Sequence, residues 1–135
     1  MVDFKPNEWV RVTDPNNPRN TTIIEKQYTL SPGLKNDKAK SRVDLLDPDF
    51  LLAVGDALRY GAEKYREVGG SSNWRRGINI SRLVASALRH LFAFMRGEDR
   101  DSESGLSHLA HLGCCVQFLH WTLKNKPEFD DRFKG

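Results

Sequence analysis

Three stretches of the chain repeat apolar residues at helical spacing. Leu51, Val54, Ala57, Leu58, Gly61 and Tyr65 form a 3.6-residue stripe, which predicts an amphipathic helix. Asp47 and Pro48 suit its cap and first position, and Gly69-Gly70 suits its end. A second stripe, Leu83, Val84, Ala87, Leu91, Phe94 and Met95, predicts a helix from a cap at Asn79 to a stop at Gly97. A third, Leu109, Leu112, Gly113, Val116, Leu119 and Leu123, marks the core face of a helix expected to begin between Asp101 and Leu106. It should end near Lys124, before Pro127. Upstream, Pro6, Pro15, Pro18 and Pro32 interrupt any long element, and β-branched Thr21–Leu30 could form one short strand or an extended arm. The expectation is an all-α fold: a bundle of three long helices with an irregular N-terminal arm. Its parts would be the arm over residues 1–35, the helical domain over 36–126 and a tail over 127–135. A single core in 135 residues is small, so burial against a partner subunit would help to complete it.

Composition narrows the class. Hydrophobic residues make up 39% and charged residues 29%, a soluble balance. A net charge of +3 suits an anionic ligand but is too weak to indicate nucleic acid. Met1–Lys5 has no apolar leader region, and no apolar run reaches membrane-spanning length. Cys114 and Cys115 are adjacent within a helical pattern and read as two small buried hydrophobes, not a disulfide. Together these features predict a protein of a reducing, intracellular compartment, the cytoplasm, with no membrane partner.

The chemistry concentrates between His90 and His111. Glu98, Asp99, Asp101 and Glu103 crowd four like charges into six residues, a cost that a bound cation would relieve. Loop polarity alone can also account for acids near a helix start. His108 and His111, three apart on a helix, share a face. One core and one surface histidine would be the plain account of such a pair; the neighbouring acids shift the balance toward ligation. Oxygen ligands suit magnesium, and mixed oxygen and imidazole ligands suit manganese or another transition metal. Arg82, Arg89 and Arg96 recur every seven residues along one side of the second helix. Lys64, Arg75, Arg76 and the basic loop Lys35–Arg42 add charge able to neutralise a polyphosphate, although each alone would suit a solvated face. Trp74, beside Asn73, is equally a core anchor or a platform for a base. No Walker-type glycine loop, Gly-x-Ser-x-Gly elbow, Cys-x-x-Cys pair or His-Asp dipeptide occurs, which leaves metal-activated water as the mechanism.

Several motifs occur in a fixed order: Arg42-x-Asp44-Leu45-Leu46, Tyr60-Gly61-Ala62-x-Lys64-Tyr65, Asn73-Trp74 and Arg89-His90-Leu91. They are followed by Gly97-Glu98-x-x-Asp101-x-Glu103-x-Gly105-Leu106-x-His108-Leu109-x-His111. This set, over about residues 35–120, resembles the phage and bacterial dATP/dGTP diphosphohydrolase family, itself similar to the MazG-type all-α nucleoside triphosphate pyrophosphohydrolases. The resemblance implies an oligomeric, magnesium- or manganese-dependent enzyme that cleaves dATP or dGTP to monophosphate and pyrophosphate. It implies metal held by His90, Glu98, Asp101, His108 and His111, with Glu98 and Asp101 also serving catalysis. Glu63 would be a further ligand or the base that positions water. Arg42, Lys64, Arg75 and Arg89 would hold phosphates, and Asn73 and Trp74 the base. Histidines stand here roughly where the MazG-type enzymes carry some of their acids. A non-catalytic protein that sequesters a nucleotide is the alternative. A small DNA-binding accessory protein ranks last, because the acid cluster would repel DNA.

Overall fold

The computed structural model describes residues 9–25 and 33–135. The chain divides into two compact units, Met1–Lys40 and Ser41–Gly135. In the first, strands β1 (Trp9–Asp14) and β2 (Asn17–Glu25) form an antiparallel hairpin, with Trp9 opposite Glu25 and Thr13 opposite Thr21. The turn is set by the Asn16 N–H, which donates to Asp14 Oδ1 at 2.8 Å. Both strands are sheet edges, so Pro18 removes no needed hydrogen bond. The sequence reading placed one possible strand at Thr21–Leu30. Its first half lies in β2, and residues 26–30 fall outside the described set. The partner strand β1 was missed, because Trp9–Asp14 is short and flanked by prolines.

The second unit is helical. Helix α1 (Pro48–Lys64) starts as expected, with Asp47 Oδ1 accepting from the Asp49 N–H at 3.1 Å. Two 3₁₀ turns follow, Arg66–Val68 and Gly70–Arg76. Helix α2 (Ile80–Met95) is capped by Asn79 in position only, since its side chain makes no capping bond. The C-terminal tail supplies one instead: the Ser81 N–H donates to Asp131 Oδ1 at 2.8 Å, and Ser81 Oγ donates to Asp131 Oδ2. Phe129 locks this tail down. Its ring would lie 2.2 Å from a Cβ on Gly77, whose φ of 101° also favours glycine. Helix α3 (His108–Asn125) starts later than predicted, with Ser107 as its cap.

Helix α3 packs on both α1 and α2, and the face it buries differs from the predicted one. Leu109, Val116 and Leu123, expected in the core, are 39%, 55% and 39% exposed. The buried side instead carries His108, Ala110, Cys114, Cys115 and Thr122. Small residues win there because the helices approach closely: a Cβ on Gly113 would sit 2.7 Å from Val54 Cγ2 and 3.1 Å from the Phe50 ring. On α2, Ile80 and Leu83 are buried, while Val84, Leu88 and Phe92 remain partly open. Among the described residues, no helix is long and apolar enough to cross a membrane.

Candidate active site

Helices α2 and α3 run antiparallel: Cys115 Sγ reaches Ser86 Oγ, and one turn along, His90 meets His108 and His111. The loop between the helices is closed by its own backbone. The Asp101 N–H donates to Leu106 O at 2.8 Å, the Gly105 N–H to Asp101 O at 2.7 Å, and the His108 N–H to Asp99 O at 3.0 Å. These bonds delay the start of α3 and hold Asp101 against the histidines.

Three imidazoles then share one small volume. His90 Nδ1 and His108 Nδ1 are 3.0 Å apart, and the His90 and His111 rings stack at 4.7 Å with 7° between their planes. One donor atom each from His90, Asp101 and His108 lies within 4.8 Å of the others, a grouping able to hold a metal ion. His108 is only 4% exposed, and its Nε2 has no hydrogen-bond partner. The nearest acid, Glu98 Oε2, is 3.9 Å away. Burial holds the His90 imidazole below its ordinary pKa, with the neighbouring His111 and His108 acting in the same direction. Burial lowers His111 as well, against the opposing pull of Asp101. Burial pushes the Asp101 carboxyl up, but the N–H and O–H of Ser104 outweigh it and leave the group below the usual carboxylate value. At neutral pH His90 and His111 are thus neutral rings beside an ionised carboxylate, the state in which such groups bind cations.

The cluster opens onto a cavity of about 1220 Å³ lined by Lys64, Asn73, Arg75, Arg82, Arg89 and Glu103, among others. Its volume exceeds the roughly 300–1,000 Å³ of sites for drug-sized ligands. Lys64 Nζ donates to Glu103 Oε1 at 2.5 Å, and the Tyr60 hydroxyl donates to the same oxygen at 3.1 Å. Lys64 first, then Tyr60, holds the Glu103 carboxyl below its usual range, while the carboxylate raises Lys64 in return. Among the described residues, Arg82 and Arg89 make no ion pair, so both guanidinium groups are available on the wall. Cys114 also lines the cavity, but burial pushes its thiol up to about 12, which keeps it protonated and unreactive.

Not every candidate from the sequence meets here. His90, Asp101 and His108 do, with His111 stacked beside them but outside the trio able to hold a metal. Glu98 is also outside the trio, pairing with Arg96 at 3.2 Å. Glu63 lies away from this cavity, in a smaller depression with Arg59 and Arg66. Arg42 is not on the cavity wall; Asp44 grips its guanidinium through three contacts, Nε–Oδ1 at 2.8 Å, Nε–Oδ2 at 3.1 Å and Nη2–Oδ2 at 2.6 Å. Trp74 stacks on Phe118 at 4.8 Å and meets Trp121 edge-on at 5.1 Å. The Arg75 guanidinium lies over the Trp74 ring at 4.8 Å, so these neighbours already engage the indole. Two residues were missed. Glu103 was read only as one of several loop acids, and Ser104 was not singled out; the only signal for Ser104 was its spacing, three after Asp101, which suits a side-chain turn.

Comparison with known proteins adds the following. Residues 31–132 match the family described as dATP/dGTP diphosphohydrolase, N-terminal. A protein of Salmonella phage PMBT28 named dATP/dGTP diphosphohydrolase is 38% identical over 100 residues. The match covers 74% of this chain and 33% of that protein, so the chain spans about a third of the relative's length. No solved structure matches the chain.

Proposed function

Because the chain belongs to the dATP/dGTP diphosphohydrolase N-terminal family, we propose that it hydrolyses dATP and dGTP to the monophosphate and pyrophosphate with a divalent metal. The observation that carries this reading is one cavity lined both by His90 and Asp101, which with His108 form the trio able to hold a metal, and by Arg82 and Arg89, which make no ion pair among the described residues. The donor set fits a metal: two nearly touching imidazoles and a carboxylate whose other oxygen is oriented by Ser104. Mixed nitrogen and oxygen ligands favour manganese or another transition metal over magnesium. When bound, such an ion polarises the phosphate and lowers the pKa of water.

The chain's own groups have distinct tasks. Glu98 suits a partner for a proton on His108 Nε2 better than a ligand, since it stands 3.9 Å from that buried atom. Arg82, Arg89 and Arg75 offer planar donors to phosphate oxygens, and Lys64 joins them once it releases Glu103. Asn73 faces the cavity and can hydrogen-bond a base edge, while Trp74, engaged by Phe118, Trp121 and Arg75, anchors that loop. The open apolar side chains Val84, Leu88 and Phe92 on α2 and Leu109, Val116 and Leu123 on α3 suit burial in a homodimer or homotetramer.

The test is incubation of the full chain with each deoxynucleoside triphosphate and manganese or magnesium, followed by pyrophosphate detection. Release from dATP and dGTP is the expected result. Unchanged nucleotide, held tightly in metal-free buffer, would overturn hydrolysis in favour of sequestration.

A further inference from the structure

Three groups converge on Ser104 Oγ. The Ser104 N–H donates to Asp101 Oδ2 at 2.8 Å, and Oγ lies 2.9 Å from the same oxygen. The Leu106 N–H donates to Oγ at 3.2 Å, and His111 Nε2 lies 2.7 Å from it. A hydroxyl has one proton and two acceptor positions. A carboxylate oxygen accepts, so the Oγ proton goes to Asp101. Leu106 takes one acceptor position. What remains to face His111 Nε2 is a lone pair, so Nε2 must be the donor. A neutral ring carries only one proton, so with Nε2 donating, Nδ1 is bare.

We propose that Ser104 is a positioning residue: it fixes His111 as the Nε2–H tautomer and leaves Nδ1 as an open lone pair that orients the attacking water. Nδ1 has no hydrogen-bond partner among the described residues and is not sealed from solvent, and the His111 ring lines the cavity. The ring is held in place by stacking on His90 at 4.7 Å and by an edge contact with Tyr60 at 6.2 Å. His111 also lies outside the metal-holding trio, so its lone pair is not committed to that ion. The water-orienting role rests on the hydrolysis reading above; the tautomer does not.

Histidine-labelled (¹⁵N) full-length protein, kept in chelator near neutral pH, reports the tautomer directly through long-range proton–nitrogen correlations. The expected wild-type pattern for His111 is a protonated Nε2 and a bare Nδ1. Ser104→Ala should populate both tautomers, and Ser104→Thr, which keeps the hydroxyl, should restore the wild-type pattern. Pyrophosphate release from dATP should fall at least about tenfold in Ser104→Ala and return in Ser104→Thr, as expected for a lost acid–base contribution. A wild-type His111 protonated on Nδ1 overturns the proposal whether or not any variant folds. An unchanged ring pattern in Ser104→Ala overturns it too. If the ring pattern shifts but the rate does not, the water-orienting role is refuted. If no protein releases pyrophosphate while the pattern behaves as expected, the hydrolysis reading fails and the tautomer assignment stands.

Discussion

Acidification offers a direct test of how His90 and His111 are housed. Both imidazoles are held below their ordinary pKa, His90 by burial and by the other two rings, and His111 chiefly by burial. The unfolded chain therefore takes up protons on these side chains at a higher pH than the folded protein does. Above the ordinary histidine value of about 6.5, both states are neutral and neither residue contributes to the pH dependence. Below it, stability falls until the depressed folded values are reached. Each group lowers stability by up to about 1.4 kcal/mol per pH unit across that window, so the pair sets a ceiling of about 2.7. The slope stays under that ceiling, because charging one ring makes charging the next harder. Asp101 and Glu103 do not interfere: their carboxyls are depressed, so their contributions are lost only in the more acidic range below ordinary carboxylate values. The assay is urea denaturation followed by tryptophan fluorescence, in chelator, at half-unit steps from pH 7.5 to 5. The wild type should lose stability progressively below pH 6.5, and the His90→Gln, His111→Gln double variant should show a much flatter profile. A flat wild-type profile, or an unaltered slope in the double variant, would refute the neutral His90–His111 pair.

Three further outcomes follow from the packing. His108→Ala should abolish manganese binding measured by calorimetry, and pyrophosphate release with it; retained binding would show that the ion sits elsewhere. Gly113→Leu should destabilise the protein by about 1–3 kcal/mol or more in chemical denaturation, because even its Cβ would meet Val54 Cγ2 at 2.7 Å. Lys64→Met should raise KM for dATP about ten- to hundredfold, the usual worth of one charged hydrogen bond, and leave the melting temperature nearly unchanged because the Lys64–Glu103 pair is largely exposed.

The residue types of the trio able to hold a metal were legible in the chain because chemistry is written in residue types. His90, Asp101 and His108 stand out as ligands before any contact is known, and the stripes on α1 and α2 mark helices because periodicity is local. Asp47 and Pro48 announced the start of α1 for the same reason, since a cap acts within one turn. Local pattern misled on α3. Its leucine stripe was read as the core face, but close approach to α1 at Gly113 selects the side bearing small residues.

Choosing among chemically equivalent groups needed the tertiary structure. Glu98, Asp101 and Glu103 are all acids in one loop, and spacing cannot tell them apart. Backbone bonds inside Gly97–Ser107 place Asp101 beside the histidines, Glu103 against Lys64 and Tyr60, and Glu98 beside Arg96. Asp131, fifty residues from Ser81, caps α2 where Asn79 does not. Ser104 matters because two helices and a closed loop bring Asp101, Leu106 and His111 within hydrogen-bonding distance of one hydroxyl. Residue types along the chain thus determined which chemistry is available. Which atoms meet, and which proton each must carry, was decided by packing, because hydrogen bonds act over about 3 Å, a range that only the folded chain can close between distant residues.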